Sequence, residues 1–203
     1  MQLDKIRIRL EEPLDYRAVE ELTRDAFWDK YRPGCTEHYI LHIFRDHPDF
    51  IKELSYVLEA NDRILAHIMY SKSIIETEDG RHPVITFGPI SVLPEVQRQG
   101  LGSQLIRYTL GRAGELGYSS VAITGDPDYY SRFGFVSGDS LGIRYGGAPE
   151  GDPAPYFMVR ELKADDRSGV KGTFRESECY FIDDEEAEAF DRTFTPREKR
   201  KGA

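Results

Sequence analysis

The sequence has few cysteines and no long apolar run. Its two cysteines, at positions 35 and 179 of 203 residues, are too few and too far apart to indicate a disulfide framework or a metal site. No run of about 20 apolar residues could span a bilayer, and the N-terminus lacks the basic start and apolar run of a signal peptide. We therefore expect a cytoplasmic protein with two idle thiols, no bound metal and no membrane partner.

Positive charge is scarce relative to negative charge. The chain has 27 lysines and arginines against 36 aspartates and glutamates, a formal net charge of -9 at pH 7. A protein that binds nucleic acid without sequence preference needs clustered cations to neutralise phosphates, so the composition argues against nucleic acid as a partner. The scattered acidic residues suit a solvated surface, and an attraction for cationic substrates such as amines is the alternative interpretation.

Apolar periodicity predicts a mixed sheet flanked by helices, an α/β (α+β) arrangement in one domain with a tail. A tight turn at Asn61-Asp62 is expected to join two strands of an antiparallel meander. A strand reached through a helix should lie parallel to the strand before that helix. Residues 138–155 look loose, and the basic end at 197–203 looks frayed. The predicted strands cover residues 5–10, 54–60, 63–76, 84–93, 119–124 and 156–162, and the predicted helices lie near 19–27, 39–48, 101–116, 127–133 and 183–194.

One segment joins an apolar strand to an amphipathic helix through a turn that contains Gly100 and Gly102. It reads PISVLPEVQRQGLGSQLI, residues 89–106. The first amides of a helix have no internal acceptor and lie at the positive end of the helix dipole, so this turn is suited to an anion. Three side chains of the turn could add donors: Gln97, Arg98 and Ser103.

Two common phosphate sites are excluded at this turn. A Walker loop requires Gly-Lys-Ser/Thr, which is absent. A dinucleotide fingerprint requires a third glycine where Leu105 stands, and the preceding strand belongs to a meander instead of opening a βαβ unit. On the turn alone, a plain helix entrance with flexible glycines is an equal alternative to an anion site.

Two segments together resemble the GCN5-related N-acetyltransferase (GNAT) family. QRQGLG, residues 97–102, is similar to the family's Gln/Arg-x-x-Gly-x-Gly/Ala motif, and YYSRFGF, residues 129–135, is similar to its Tyr-x-x-x-Gly-Phe signature. The resemblance covers about residues 5–162 and looks like the YhbS-type branch. It implies a GNAT acyltransferase domain at residues 1–162, with an antiparallel meander and a splayed parallel strand pair, and a C-terminal extension at 163–203 that packs on the domain or continues it.

The resemblance implies acetyl-coenzyme A as the acyl donor and a primary amine, on a small molecule or a peptide, as the acceptor in a ternary complex. In the family, the pantetheine arm lies along the strand before the turn, where that strand splays from its parallel neighbour. Gly88 and Pro89 support this locally, because glycine permits a bulge and proline removes a ladder donor. The implied donor contacts are Ile90, Ser91, Val92, Gln97, Arg98, Gln99, Gly100, Leu101, Gly102, Ser103, Tyr130 and Phe133.

Tyr130 aligns with the family tyrosine that protonates the departing thiolate. A phenol with an ordinary pKa of about 10 is protonated at neutral pH and can serve as that acid. A structural hydrogen bond is the alternative role for this hydroxyl.

The general base is not marked. Many relatives carry a glutamate on the central strand, but residues 86–92 read TFGPISV and contain no carboxylate. A water chain is one alternative, and four side chains are others: Asp126, His67, Glu37 and His38. The missing carboxylate also leaves open a coenzyme A-binding sensor or interaction module with little or no turnover. The family pattern further implies a monomer, or a homodimer formed through C-terminal strands.

Overall fold

The computed structural model describes residues 5–163 and 169–201. The strands among these residues are β1 (Arg7–Leu10), β2 (Tyr56–Ala60), β3 (Arg63–Thr77), β4 (Gly80–Val92), β5 (Ser120–Thr124), β6 (Val136–Ser137), β7 (Ile143–Tyr145), β8 (Phe157–Glu161) and β9 (Gly172–Arg175). The α-helices are α1 (Tyr16–Phe27), α2 (Glu37–Phe44), α3 (Leu101–Glu115), α4 (Pro127–Tyr130) and α5 (Asp184–Asp191).

The strands form one mixed sheet in the order β1-β2-β3-β4-β5-β8-β6, and β9 pairs with β3 and β7 outside this path. The β1–β2 and β2–β3 pairs are antiparallel, whereas β4 and β5, joined through α3, are parallel. Asn61 and Asp62 have φ values of 53° and 58°, as the tight turn between β2 and β3 requires. The predicted meander and parallel pair are therefore confirmed.

The chain divides into two compact units. The first takes Met1–Met69, Pro89–Ile106 and Glu178–Ala203, within the described residues. One of its apolar clusters joins α1 and α2 to β2 and β3, and its buried members are Val19, Leu41, Phe44, Val57 and Met69.

A buried ion network also belongs to the first unit. The Arg45 guanidinium lies 2.7 Å from a Glu11 oxygen and 2.6 Å from a Glu20 oxygen, and all three side chains are almost fully buried. Burial opposes ionisation of Glu11, but His67 and Arg45 outweigh it and lower the pKa of Glu11 from 4.5 to about 2. The charge of Glu11 is therefore part of the folded state.

The second unit takes Tyr70–Gly88 and Arg107–Ser177, again within the described residues. The Tyr70 and Thr109 hydroxyls share a buried hydrogen bond of 2.9 Å between β3 and α3. The buried members of its main apolar cluster are Ile75, Val84, Ala122, Ile143, Ala154, Phe157, Val159 and Phe174.

Two expectations were wrong in the C-terminal half. Residues 138–155 are not loose, because they contain β7, which pairs in parallel with β9. That partner lies about 30 positions further along the chain, so no local pattern marks the pairing. The basic end is not frayed over its described part: Arg197 pairs with Asp25 at 2.6 Å, and the Arg200 amide donates to Asp29 at 2.9 Å.

The amphipathic piece near the C-terminus forms α5, as predicted, and Asp191 at its end is held by the first helices. The Arg24 guanidinium donates to Asp191 at 2.6 Å, and His38 Nε2 lies 3.1 Å from the same carboxylate. Burial lowers the pKa of His38 to about 4, against the opposing charge of Asp191. The boundary at residue 162 stays a prediction.

Candidate functional site

Strand β4 outlasts its pairing with β5. In the β4–β5 pair, Ile85 lies opposite Val121 and Thr86 lies opposite Ala122, while β4 continues to Val92. Gly88 follows with a φ of 153°, outside the usual range for other residues. The pairing of β4 with β5 thus ends just before Gly88 and Pro89, where the sequence predicted that regular pairing would break.

The last residues of β4 alternate in exposure. Ile90 and Val92 are half-buried, whereas the Ser91 side chain is buried and shares a hydrogen bond of 2.7 Å with Thr23 on α1. The side chain of Ser91 is therefore engaged in this buried hydrogen bond. Only its backbone stays a predicted contact for the acyl donor. Gln97 donates to the Val92 carbonyl at 3.0 Å, which ties the turn to the strand.

The turn before α3 has the backbone geometry of an anion site. Arg98 and Gly100 have φ values of 63° and 86°, and residues 97–100 are exposed. A Cβ added at Gly100 would meet no atom within 4 Å, so the space beside this backbone is open. Because the first amides of a helix lack internal acceptors, the turn can accommodate a phosphate group. Leu101 and Gly102 are buried, so they would contribute backbone amides only.

Tyr130 lies at the end of α4 in the second unit. Asp126 caps this short helix by accepting from the Asp128 amide at 3.0 Å. The Tyr130 ring contacts the rings of Phe87 and Phe135, with centroids 5.9 Å and 6.0 Å away. Aromatic packing therefore fixes the phenol within a narrow range of positions.

Gly125 is a site residue that the sequence reasoning missed. A Cβ at this position would lie 2.7 Å from Tyr130 Cδ2 and closer still to Cε2, so only glycine lets the ring sit where it does. The Gly125 amide donates to the Tyr156 carbonyl at 2.8 Å, which holds the end of β5 in place. A glycine between a strand and a proline-led helix was visible in the sequence, but its close neighbour was not.

Phe133 is 2% exposed, and its ring packs against Tyr129 and Tyr130. The Arg107 guanidinium covers it at 4.9 Å from the ring centroid. The ring thus supports the tyrosines, and a direct contact with the donor stays a prediction.

The candidate bases have structural partners. The His67 side chain is fully buried. Its Nε2 atom shares a hydrogen bond of 3.2 Å with the Ser55 hydroxyl and lies 3.5 Å from a Glu11 carboxylate oxygen. His38 is buried beside Asp191, and burial raises the pKa of Glu37.

The sequence reasoning did not single out Glu176, whose carboxylate accepts from the Tyr145 hydroxyl at 2.8 Å.

A cavity of about 320 Å³ lies in the second unit, and Tyr130 and Phe133 are not among its lining residues. Within residues 5–163 and 169–201, no group of three or more histidine, cysteine or carboxylate side chains is arranged to hold a metal ion. No helix in the same ranges is long and apolar enough to cross a bilayer.

Known proteins are similar to this chain in sequence and in fold. Residues 52–137 match the acetyltransferase (GNAT) domain. The chain is 29% identical, over 168 residues, to the uncharacterized N-acetyltransferase YhbS of Escherichia coli K12, covering 81% of this chain and 92% of the relative.

Two solved structures are similar over most of the chain. Escherichia coli YhbS in complex with coenzyme A has a TM-score of 0.76 and 25% identity, covering 90% of this chain and 94% of that one. A GNAT acetyltransferase of Brucella melitensis in complex with acetyl-coenzyme A has a TM-score of 0.69 and 26% identity, covering 87% and 98%. In sequence and in fold, the chain is therefore similar to GNAT acetyltransferases of the YhbS type.

Proposed function

We propose that this protein transfers an acetyl group from acetyl-coenzyme A to a primary amine by direct attack in a ternary complex. The observation that carries the proposal is the turn at Arg98 and Gly100, whose left-handed backbone opens α3 after a strand that has left its parallel neighbour. The complexes of the two similar structures with coenzyme A and acetyl-coenzyme A support the identity of the donor.

The turn residues would hold the donor's pyrophosphate. The amides of residues 99–102 would donate to the phosphate oxygens, and the exposed Arg98 would add charge. Because Gln97 already bonds to the Val92 carbonyl, its role would be to shape the turn. The backbone of Ile90 and Val92 would receive the pantetheine arm, as the family pattern implies.

Two groups would act on the reacting bonds. An amide near Ile90 would donate to the thioester carbonyl oxygen, which gains negative charge during attack. Tyr130 would donate its phenolic proton to the departing thiolate sulfur, which must be protonated to leave as a thiol. Both roles follow from the match to the family motifs.

Ligand binding tests the first half of the proposal. At a concentration of 100 times its Kd, a ligand specific for the folded state adds about 2.7 kcal/mol of stability, or roughly 5–10 °C of Tm for a chain of this size. Thermal melts and calorimetry should show this shift with both coenzyme A and acetyl-coenzyme A. Tyr130→Phe should keep the shift, since its hydroxyl serves the chemical step. No shift with either ligand would exclude the proposal.

Turnover tests the second half. Release of free thiol from acetyl-coenzyme A is followed while a panel of small amines, amino acids, polyamines and short peptides is added. An acetyltransferase releases thiol in step with an amine of the panel, and Tyr130→Phe slows that release. Binding without thiol release for any amine would instead identify a coenzyme A sensor.

A further inference from the structure

The backbone at the end of β4 has a defined direction. Leu93, just after the strand, donates its amide to the Leu65 carbonyl of β3 at 2.9 Å. Strands β3 and β4 are neighbours joined by a two-residue turn, so they run antiparallel. In such a pair, alternate residues direct their backbone groups to the neighbour. Leu93 and Ser91 therefore direct theirs to β3. Ile90 and Val92 direct theirs to the opposite edge of β4, on which pairing with β5 has ended.

The side chain of Ser91 is held from α1. Its hydroxyl lies 2.7 Å from the Thr23 hydroxyl, and the two residues are 1% and 0% exposed. Val19, one helical turn before Thr23 on the same face of α1, is fully buried in an apolar cluster. A pair of hydroxyls thus lies within an otherwise apolar region of the first unit.

This hydroxyl pair adds direction to the contact between helix and strand. Two apolar side chains of the same shape could replace it at nearly unchanged stability. A hydrogen bond, in contrast, requires a particular distance and angle, so a satisfied buried pair specifies one arrangement. For Ser91 that arrangement fixes the rotation of the strand about its own axis, and the backbone of Ile90 and Val92 turns with it. The bond to Thr23 therefore determines where these backbone groups point.

We propose that Thr23 is a positioning residue for the acyl donor: by holding Ser91, it aligns the end of β4 with the pantetheine arm. This inference rests on the proposed acetyl transfer, in which the backbone of Ile90 and Val92 receives that arm. Thr23 itself would not touch the donor, because its hydroxyl is buried against Ser91. The turn at residues 97–102 would hold the pyrophosphate independently of Thr23.

The test compares two ligands by calorimetry. Coenzyme A carries the arm, whereas its nucleotide half, adenosine 3′-phosphate 5′-diphosphate, contains only the part proposed to bind the turn. Thr23→Val removes the hydroxyl at nearly constant shape. It should raise the Kd of coenzyme A about 3–10-fold, the equivalent of about one hydrogen bond. The Kd of the nucleotide should change by less than about twofold.

Two control variants separate position from stability. Thr23→Ser keeps the hydroxyl, so both Kd values should stay within about twofold of the wild type. Thr109→Val removes one member of the buried Tyr70–Thr109 hydroxyl pair in the second unit. It should lower the free energy of unfolding in urea as Thr23→Val does, because each leaves a buried hydroxyl without this partner. Neither Kd should change in Thr109→Val.

A double variant gives a second measurement if Thr23→Val does not fold. Thr23→Val combined with Ser91→Ala removes both hydroxyls of the pair, so it should be more stable in urea than Thr23→Val alone. Its Kd for coenzyme A should nevertheless stay raised, because the direction of the strand is no longer fixed.

Four results would overturn the role of Thr23. They are equal Kd values for the two ligands in the wild type, an unchanged Kd for coenzyme A in the double variant or in a folded Thr23→Val, an equal rise for both ligands, and the same rise in Thr109→Val. If the wild type binds neither ligand, the proposed acetyl transfer fails before any variant is compared, and Thr23 then has no donor to position.

Discussion

Gly125→Ala is expected to disable the proposed acid without touching it chemically. The φ angle of Gly125 lies outside the left-handed range, so alanine is compatible with the backbone there. The new methyl group, however, would lie 2.7 Å from Tyr130 Cδ2 and closer to Cε2. The substitution therefore tests position alone.

The expected loss of rate follows from the distance between the new methyl group and the Tyr130 ring. The ring must move by about 1 Å to reach ordinary contact with the methyl group, and a misplacement of this size can cost about 10²-fold in rate. The rings of Phe87 and Phe135 limit the directions in which Tyr130 can yield, so we also expect about 1–3 kcal/mol of destabilisation. The affinity for coenzyme A should change little.

The assay measures kcat by thiol release, the Kd of coenzyme A by calorimetry, and the free energy of unfolding with urea. Gly114→Ala is the matched control, because its new methyl group meets no atom within 4 Å. That control lies inside α3 and should gain about 0.5–1 kcal/mol of stability at unchanged kcat.

A double variant decides whether the effect passes through the tyrosine. If Gly125→Ala acts only by displacing Tyr130, adding it to Tyr130→Phe should cause little further loss of kcat. A full 10²-fold loss on top of Tyr130→Phe would refute this reasoning, and so would wild-type kcat in the single variant.

Three further predictions concern stability and the turn at residues 97–102. Glu11→Gln should cost about 3 kcal/mol at pH 7, since it removes one of the two carboxylates that pair with the buried Arg45 guanidinium and leaves Glu20. The ionised Glu11 stabilises the wild type fully above pH 4.5, and that stability is lost as pH falls through about 2. His38 has a pKa of about 4 in the folded protein, below its ordinary 6.5. As pH falls from 6.5 to 4, the unfolded chain binds a proton that the folded protein does not, and the free energy of unfolding decreases. His38→Gln should remove this slope. Gly100→Ala forces a left-handed alanine and should weaken coenzyme A binding about tenfold. Urea titrations from pH 2 to pH 8 and calorimetry check these effects.

Each of these has its own control. Gly117→Ala imposes a similar backbone strain at the other end of α3 and should leave the Kd for coenzyme A unchanged. Equal affinity losses in both glycine variants would mean that the turn at Gly100 has no special role. An unaltered pH slope in His38→Gln, or a Glu11→Gln variant as stable as the wild type, would contradict the buried-charge reasoning.

Local signals predicted much of the fold. The Asn61-Asp62 turn depends on residues within a few positions, and it occurs as predicted. The Asp126 cap and the left-handed Gly134 that ends the next short helix have equally local causes. The turn at residues 97–102 was identified in the same way, because Gly100 and its neighbours specify a backbone whether or not a ligand is present; its role in donor binding stays a prediction. Elements of this kind are readable since their causes lie next to each other in the chain.

Long-range contacts could not be predicted. Nothing near Ser91 indicates that its hydroxyl faces Thr23, 68 positions earlier. Strand β9 is four residues long, and its partners β3 and β7 lie far away in the chain. Short strands with distant partners are specified by burial against those partners, which a local pattern does not contain.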